Sequence, residues 1–149
     1  MAFTPVAAQD FSKGLTAYQA GDYATAIQEW TPLAEAGYAV AQYNLGFMYA
    51  NGQGVPQDYA EAVKWYRLAA DQGDADAQYN LGAKYEYGQG VLQDNIMAHM
   101  WYNIASANGH GKAAEWRDER AGLMTAAAIE KAQAMARVCM SSGYQNCGY

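Results

Sequence analysis

Proline, histidine and cysteine are scarce in this 149-residue chain, which has three Pro, two His and two Cys. With no His at ligand spacing to either cysteine, a zinc site is not expected, nor is any other metal or cofactor. No run of about 18 apolar residues occurs, so membrane insertion is not expected either. Large aliphatic and phenylalanine side chains are few: Leu 7, Val 6, Ile 4 and Phe 3. That shortage of β-branched residues argues against a sandwich or barrel. Charged residues reach only 16%, below the roughly 25% of ordinary domains, so charge-driven disorder is not expected. Positive charge is rarest where it would matter for phosphate: residues 1–109 carry Lys13, Lys64, Arg67 and Lys84 against eleven acids. Without a basic footprint, nucleic acid and anionic membrane surfaces are poor partners.

The missing bulk is made up by 31 Ala, 13 Tyr and 4 Trp. Alanine is the strongest helix former and lets helices approach closely, while Tyr and Trp supply buried area. The composition therefore points to an all-α fold of small residues set between aromatics.

An internal repeat gives that fold its order. Residues 37–72 align without gaps on 73–108 with 19 of 36 identical. The frame runs through Ala41-Gln-Tyr-Asn-Leu-Gly46 and Ala77-Gln-Tyr-Asn-Leu-Gly82, then Tyr49 and Tyr85. It continues with Gly52-Gln-Gly-Val55 and Gly88-Gln-Gly-Val91, Asp58 and Asp94, and Trp65-Tyr66 and Trp101-Tyr102. Each unit reads as two antiparallel helices. On a wheel of about 100° per residue, Ala41, Gln42, Leu45, Gly46, Met48 and Tyr49 share one stripe for burial. Gly46 leaves room for the second helix, and Gly52 and Gly54 break the chain between the two. Asp58 with Glu61 three residues on has capping-box spacing, and Ala62, Trp65, Tyr66 and Ala69 form the second stripe. A variant unit precedes these, marked by Gly14, Tyr18, Gly21 and Trp30 but lacking the longer loop.

This frame resembles the Sel-one-like repeat (SLR) family, relatives of the tetratricopeptide repeat. The likeness is strong over 37–109, moderate over 10–36 and weak over 110–141. It implies a right-handed α-α superhelix of about three to four helix-turn-helix repeats with a C-terminal capping helix. The repeats would be 10–37, 38–73 and 74–109, followed by a degenerate repeat and cap over 110–141 and a tail over 142–149. In the cap, Thr125 would start a helix with Ile129, Ala132, Ala136 and Met140 as its stripe. The family implies an adaptor role with the first helices lining a concave surface, and no catalytic residues. Several bacterial members are exported.

Residues 1–9 read as a disordered remnant around a signal-peptide cleavage site, because Val6-Ala-Ala-Gln9 looks like the small-residue end of a leader. Cys139 and Cys147 would then form a disulfide in an exported, periplasmic or secreted protein, and free thiols in a reducing cytosol.

Opposite the first buried stripe lie Val40, Tyr43, Phe47 and Ala50, flanked by Asn44 and Asn51. Their counterparts are Asp76, Tyr79, Ala83 and Glu86, flanked by Asn80 and Tyr87. These are the candidate partner-binding residues, with Asn amides to pair with a peptide backbone and aromatics to receive apolar side chains. First helices also pack on one another, so Tyr43, Tyr79 and the two repeat-invariant Asn have a scaffold reading as well. Phe47, Asp76, Glu86 and Tyr87 differ between units and are the natural specificity positions. The acidity favours a protein or peptide with a basic segment.

A second interface is signalled on the outer face of the later unit. There Ile96, Met100 and Asn103 replace Ala60, Lys64 and Arg67, which is a loss of charge that a solvated face would not show. The chain's own C-terminal segment, a partner, or a second copy in a homo-oligomer would cover it. His99, at the position of Val63, reads as a packed residue. Enzyme motifs are missing: there is no His-Glu-x-x-His, Gly-x-Ser-x-Gly or phosphate loop. The expected function is a non-catalytic interaction module, possible roles being envelope signalling or assembly. A cell-wall enzyme or subunit acting on peptidoglycan or β-lactams, a link made for some cysteine-rich relatives, is one alternative. A self-assembling structural protein is the other.

Overall fold

A computed structural model describes residues 6–149, with side chains from Asp10 onward; the leader expectation for residues 1–5 lies outside them. The described residues form α1 (Val6–Gln19), α2 (Tyr23–Glu35), α3 (Ala39–Asn51), α4 (Tyr59–Ala70), α5 (Ala75–Tyr87), α6 (Asn95–Ala107), α7 (Ala113–Ala121) and α8 (Ala126–Ser141). Residues 6–9, read from sequence as part of the remnant, belong to α1. Helices pair as hairpins α1/α2, α3/α4 and α5/α6, and each even-numbered helix also packs on the odd-numbered helix that follows. The result is an all-α solenoid.

Local chemistry explains each boundary. Asp58 and Asp94 accept hydrogen bonds from the backbone N–H groups of Glu61 (3.0 Å) and Met97 (3.1 Å), capping α4 and α6. The capping box is only half made, since the Glu61 carboxylate turns instead to Lys64 at 3.2 Å. Gly46 and Gly82 let the hairpins close: a Cβ there would sit 2.7 Å from the Tyr66 ring and 2.9 Å from the Tyr102 ring. The repeated Gln of the first helix also has a structural task. Gln42 and Gln78 are buried and donate to the carbonyls of Ala34 and Ala70, each at 3.0 Å, satisfying the end of the preceding helix. Gln72 and Asn108, one repeat apart, then donate to Gln42 and Gln78, each at 2.8 Å.

The C-terminal region departs from the repeat. Helix α7 is short and polar with Ala113 its one buried residue, so it offers little for a second helix to cover. Helix α8 starts at Thr125, whose hydroxyl accepts from Ala128 N–H at 3.1 Å. It packs on α6 instead of lying along α7, burying Ala132, Ala136 and Cys139 there. Met100 is thereby fully buried, which removes it as a free interface residue. Ile96 is half-buried beside α8 and the tail, and Asn103 accepts a hydrogen bond from Arg117 of α7 at 3.1 Å. The apolar outer face is thus the seat of the chain's own C-terminal helix. His99 is packed, at 2% exposure, and burial lowers its pKa.

Beyond α8 the tail crosses the same face, fastened by the Cys139–Cys147 disulfide. Tyr149 stacks on Trp101 at 6.0 Å, lies under the Arg67 guanidinium at 4.5 Å and donates to Asp71 at 2.5 Å. Arg67, on the outer face by its spacing, and Asp71 are held by this strap. Closing so short a loop restricts the unfolded chain by about 2.5 kcal/mol. Replacing both cysteines by serine is expected to lower the unfolding free energy by about that amount. Urea midpoints would read it, together with a red shift in tryptophan emission as Tyr149 leaves Trp101. An unchanged midpoint would show the tail docked without its covalent tie.

Candidate functional site: the recess between α1 and α3

The odd-numbered helices are not among the closely packed pairs, so side chains and open space lie between them. Between α1 and α3 there is a recess of about 240 Å³, lined by Leu15, Tyr18, Trp30, Tyr43, Asn44 and Phe47. Its floor is rigid. Trp30 is 2% exposed, donates to the Phe11 carbonyl at 3.2 Å and packs on Phe11 and Tyr18 with centroids 5.7 and 5.8 Å away. Gly14 makes this possible, because a Cβ there would lie 2.4 Å from the indole nitrogen. Tyr43 forms the far wall, 6.4 Å from Phe47 and 6.0 Å from buried Tyr66.

Three of these six were legible as groove positions, namely Tyr43, Asn44 and Phe47. Leu15, Tyr18 and Trp30 were not, because they belong to the variant first unit. The signal was available: equating Gly14 with Gly46 sets Leu15 at the position of Phe47.

The next stretch, over α5, is acidic. The Asp76 carboxylate is 66% exposed, while Asp74 caps α5 by accepting from Ala77 N–H at 2.8 Å. Burial pushes the Asp74 pKa up despite that bond. Tyr43 lies near both: its own burial, then the charges of Asp76 and Asp74, raise its hydroxyl pKa, and an Asn80 hydrogen bond opposes them. Tyr79 stacks flat on His110, with centroids 4.1 Å apart, and His110 Nε2 stands 3.7 Å from Asp76. Val40 and Tyr87 are exposed, at 53% and 60%.

Other candidates are committed elsewhere. Ala50 is buried. Glu86 is buried too, accepting from Tyr102 Oη at 2.5 Å and pairing with Arg120 at 3.1 Å, so it is an internal clamp between α5, α6 and α7 and not a groove carboxylate. Asn51 and Asn80 donate to carbonyls of their own helices, Phe47 at 2.8 Å and Asp76 at 2.9 Å. Ala83 packs on the core. Among the described residues no cluster of three His, Cys, Asp or Glu could hold a metal, and no helix is long and apolar enough to cross a membrane.

Comparison with known proteins gives two results. The Sel1 repeat family matches residues 39–74 and 75–110. Among solved structures, this chain is similar to a protective antigen present in uropathogenic Escherichia coli strains that displays an SLR fold. That match has a TM-score of 0.86 and 28% identity over 93% of this chain. It is also similar to a Sel1 repeat protein from Oxalobacter formigenes, with a TM-score of 0.67 and 35% identity over 70% of this chain. The chain spans 31% of the first of those proteins and 43% of the second. No curated protein matches it in sequence. Sel1 repeats are generally protein-interaction modules.

Proposed function

Because this chain carries two Sel1 repeats in an SLR-type solenoid, we propose that it is a non-catalytic adaptor that binds a protein or peptide segment along its concave face. The observation that carries this reading is the recess between α1 and α3, an aromatic-lined opening on a rigid floor. Such rings give large contact area at low entropic cost, and the Asn44 amide beside them offers both a donor and an acceptor. Asp58 and Glu61, whose spacing could pass for a carboxylate pair, are engaged as a helix cap and with Lys64, which favours a scaffold over an enzyme. The buried disulfide supports export to an oxidising compartment, where an envelope partner would be met.

Panning a random peptide display library on the immobilised chain tests the reading. The wild type is expected to enrich a consensus, and Phe47→Ala is expected to weaken the enriched peptides about tenfold. A melting curve confirms that the variant folds. No enrichment, or enrichment untouched by Phe47→Ala, would overturn it.

A further inference from the structure

We infer that the concave face selects an extended segment carrying a bulky apolar residue and, two residues away, a lysine or arginine. This rests on the adaptor reading and gives it a ligand chemistry.

The apolar half follows from size and lining. At about 240 Å³ the recess lies below the roughly 300–1,000 Å³ of small-molecule and cofactor sites, so it suits a single side chain. Leu15, Tyr18, Phe47 and Tyr43 wall it, and Trp30 closes its floor. Asn44 stands at the same opening and, among the described residues, makes no side-chain hydrogen bond, unlike Asn51 and Asn80. It is therefore placed to pair with the backbone of the segment that delivers the anchor.

The cationic half follows from Asp76. Tyr43 lines the recess and stands close to Asp76 and Asn80. Of the two acids there, Asp74 already accepts a backbone N–H, whereas Asp76 keeps an exposed carboxylate. Its only ion-pair neighbour among the described residues is His110, at a loose 3.7 Å. No lysine or arginine among the described residues stands within ion-pair distance of it, Lys112, two residues past His110, included. An arriving cation thus meets an acid that no Lys or Arg of this chain neutralises. The pairing has one register, because the first unit has Val40 where the second has Asp76.

The spacing comes from general dimensions. A recess midway between α1 and α3 lies about one and a half helix spacings from α5, or roughly 12–15 Å at the usual spacing of about 8–10 Å between helix axes. In an extended segment residues i and i+2 point to the same side about 7 Å apart, and a lysine or arginine stem spans the remainder. Residue i+3 points away from the groove.

The test uses fluorescein-labelled ten-residue Gly/Ser peptides containing one Phe and one Lys, with anisotropy as the readout on the full chain. The peptide with Lys two residues from Phe is expected to bind about threefold or more tightly than the same peptide with Gln for Lys, or with Lys moved to the third residue. Asp76→Asn should erase the difference between the Lys and Gln peptides, and rising salt should shrink it. Phe47→Ala should weaken every peptide. Equal binding of the Lys and Gln peptides, or an advantage that survives Asp76→Asn, would overturn the motif. If these peptides fail while the display library still yields a groove-dependent consensus, the motif falls and the adaptor reading stands. If both fail, the adaptor reading falls with it.

Discussion

Arg120→Ala is expected to destabilise the fold by about 3–5 kcal/mol, the usual result of removing one partner from a buried ion pair. The pair is Arg120 with Glu86, whose side chains are only 14% and 3% exposed. Without Arg120 the Glu86 carboxylate keeps one hydrogen bond, from Tyr102, and loses its cation. Glu86→Ala should cost less, because the freed guanidinium can swing to Glu119, already 3.7 Å away and exposed. Replacing both by alanine should recover part of the loss. The first repeat shows why: it has buried Ala50 where the second has Glu86. Against a total stability of about 5–15 kcal/mol, the single Arg120 change would lower the melting temperature by roughly 10 °C. Urea midpoints of the wild type, both single variants and the double variant form the cycle that checks this. Strictly additive losses would mean that the two groups do not interact. The pair ties α7 to α5, beside the packing of Trp116 on the core and the Arg117–Asn103 hydrogen bond to α6.

Gly90→Ala is expected to be as damaging for a different reason. Gly90 has φ +76, and a Cβ there would lie 2.3 Å from the Tyr59 carbonyl oxygen and 2.5 Å from its carbon. Those are backbone atoms at the start of α4, held by the Asp58 cap, so they cannot step aside as a side-chain tip would. Gly109 supplies the control. It has φ +94 with nothing within 4 Å, so Gly109→Ala carries only the left-handed penalty of about 1–2 kcal/mol. Gly90→Ala should exceed about 4 kcal/mol or leave the chain unable to melt cooperatively. Equal losses at the two positions in thermal denaturation would show that the loop swings freely off α4. Gly54 makes the same contact one repeat earlier, 2.9 Å from Tyr23. Each Gly-x-Gly loop therefore docks on the preceding unit.

Much of this architecture could be read from spacing alone. The aspartate caps and the stripe of α8 are set within one or two turns of helix, and the hairpin and the glycines under Tyr66 and Tyr102 within one 36-residue unit. A side chain's angle about its own helix axis follows from its position, and that angle separates Leu45 from Val40. What meets that face does not follow. Glu86 has the angle of a groove residue and is buried, because Arg120 arrives from 34 positions further along. Met100 has the angle of a surface residue and is covered by α8. The recess needed three helices from two unequal units, so no single stripe announced Trp30 as its floor. Local hydrogen bonding and periodicity, both short-range, let the chain's sequence determine its helices and their repeat. Which polar and apolar faces close on one another, and which stay open for a partner, was decided by contacts between distant segments in the tertiary structure.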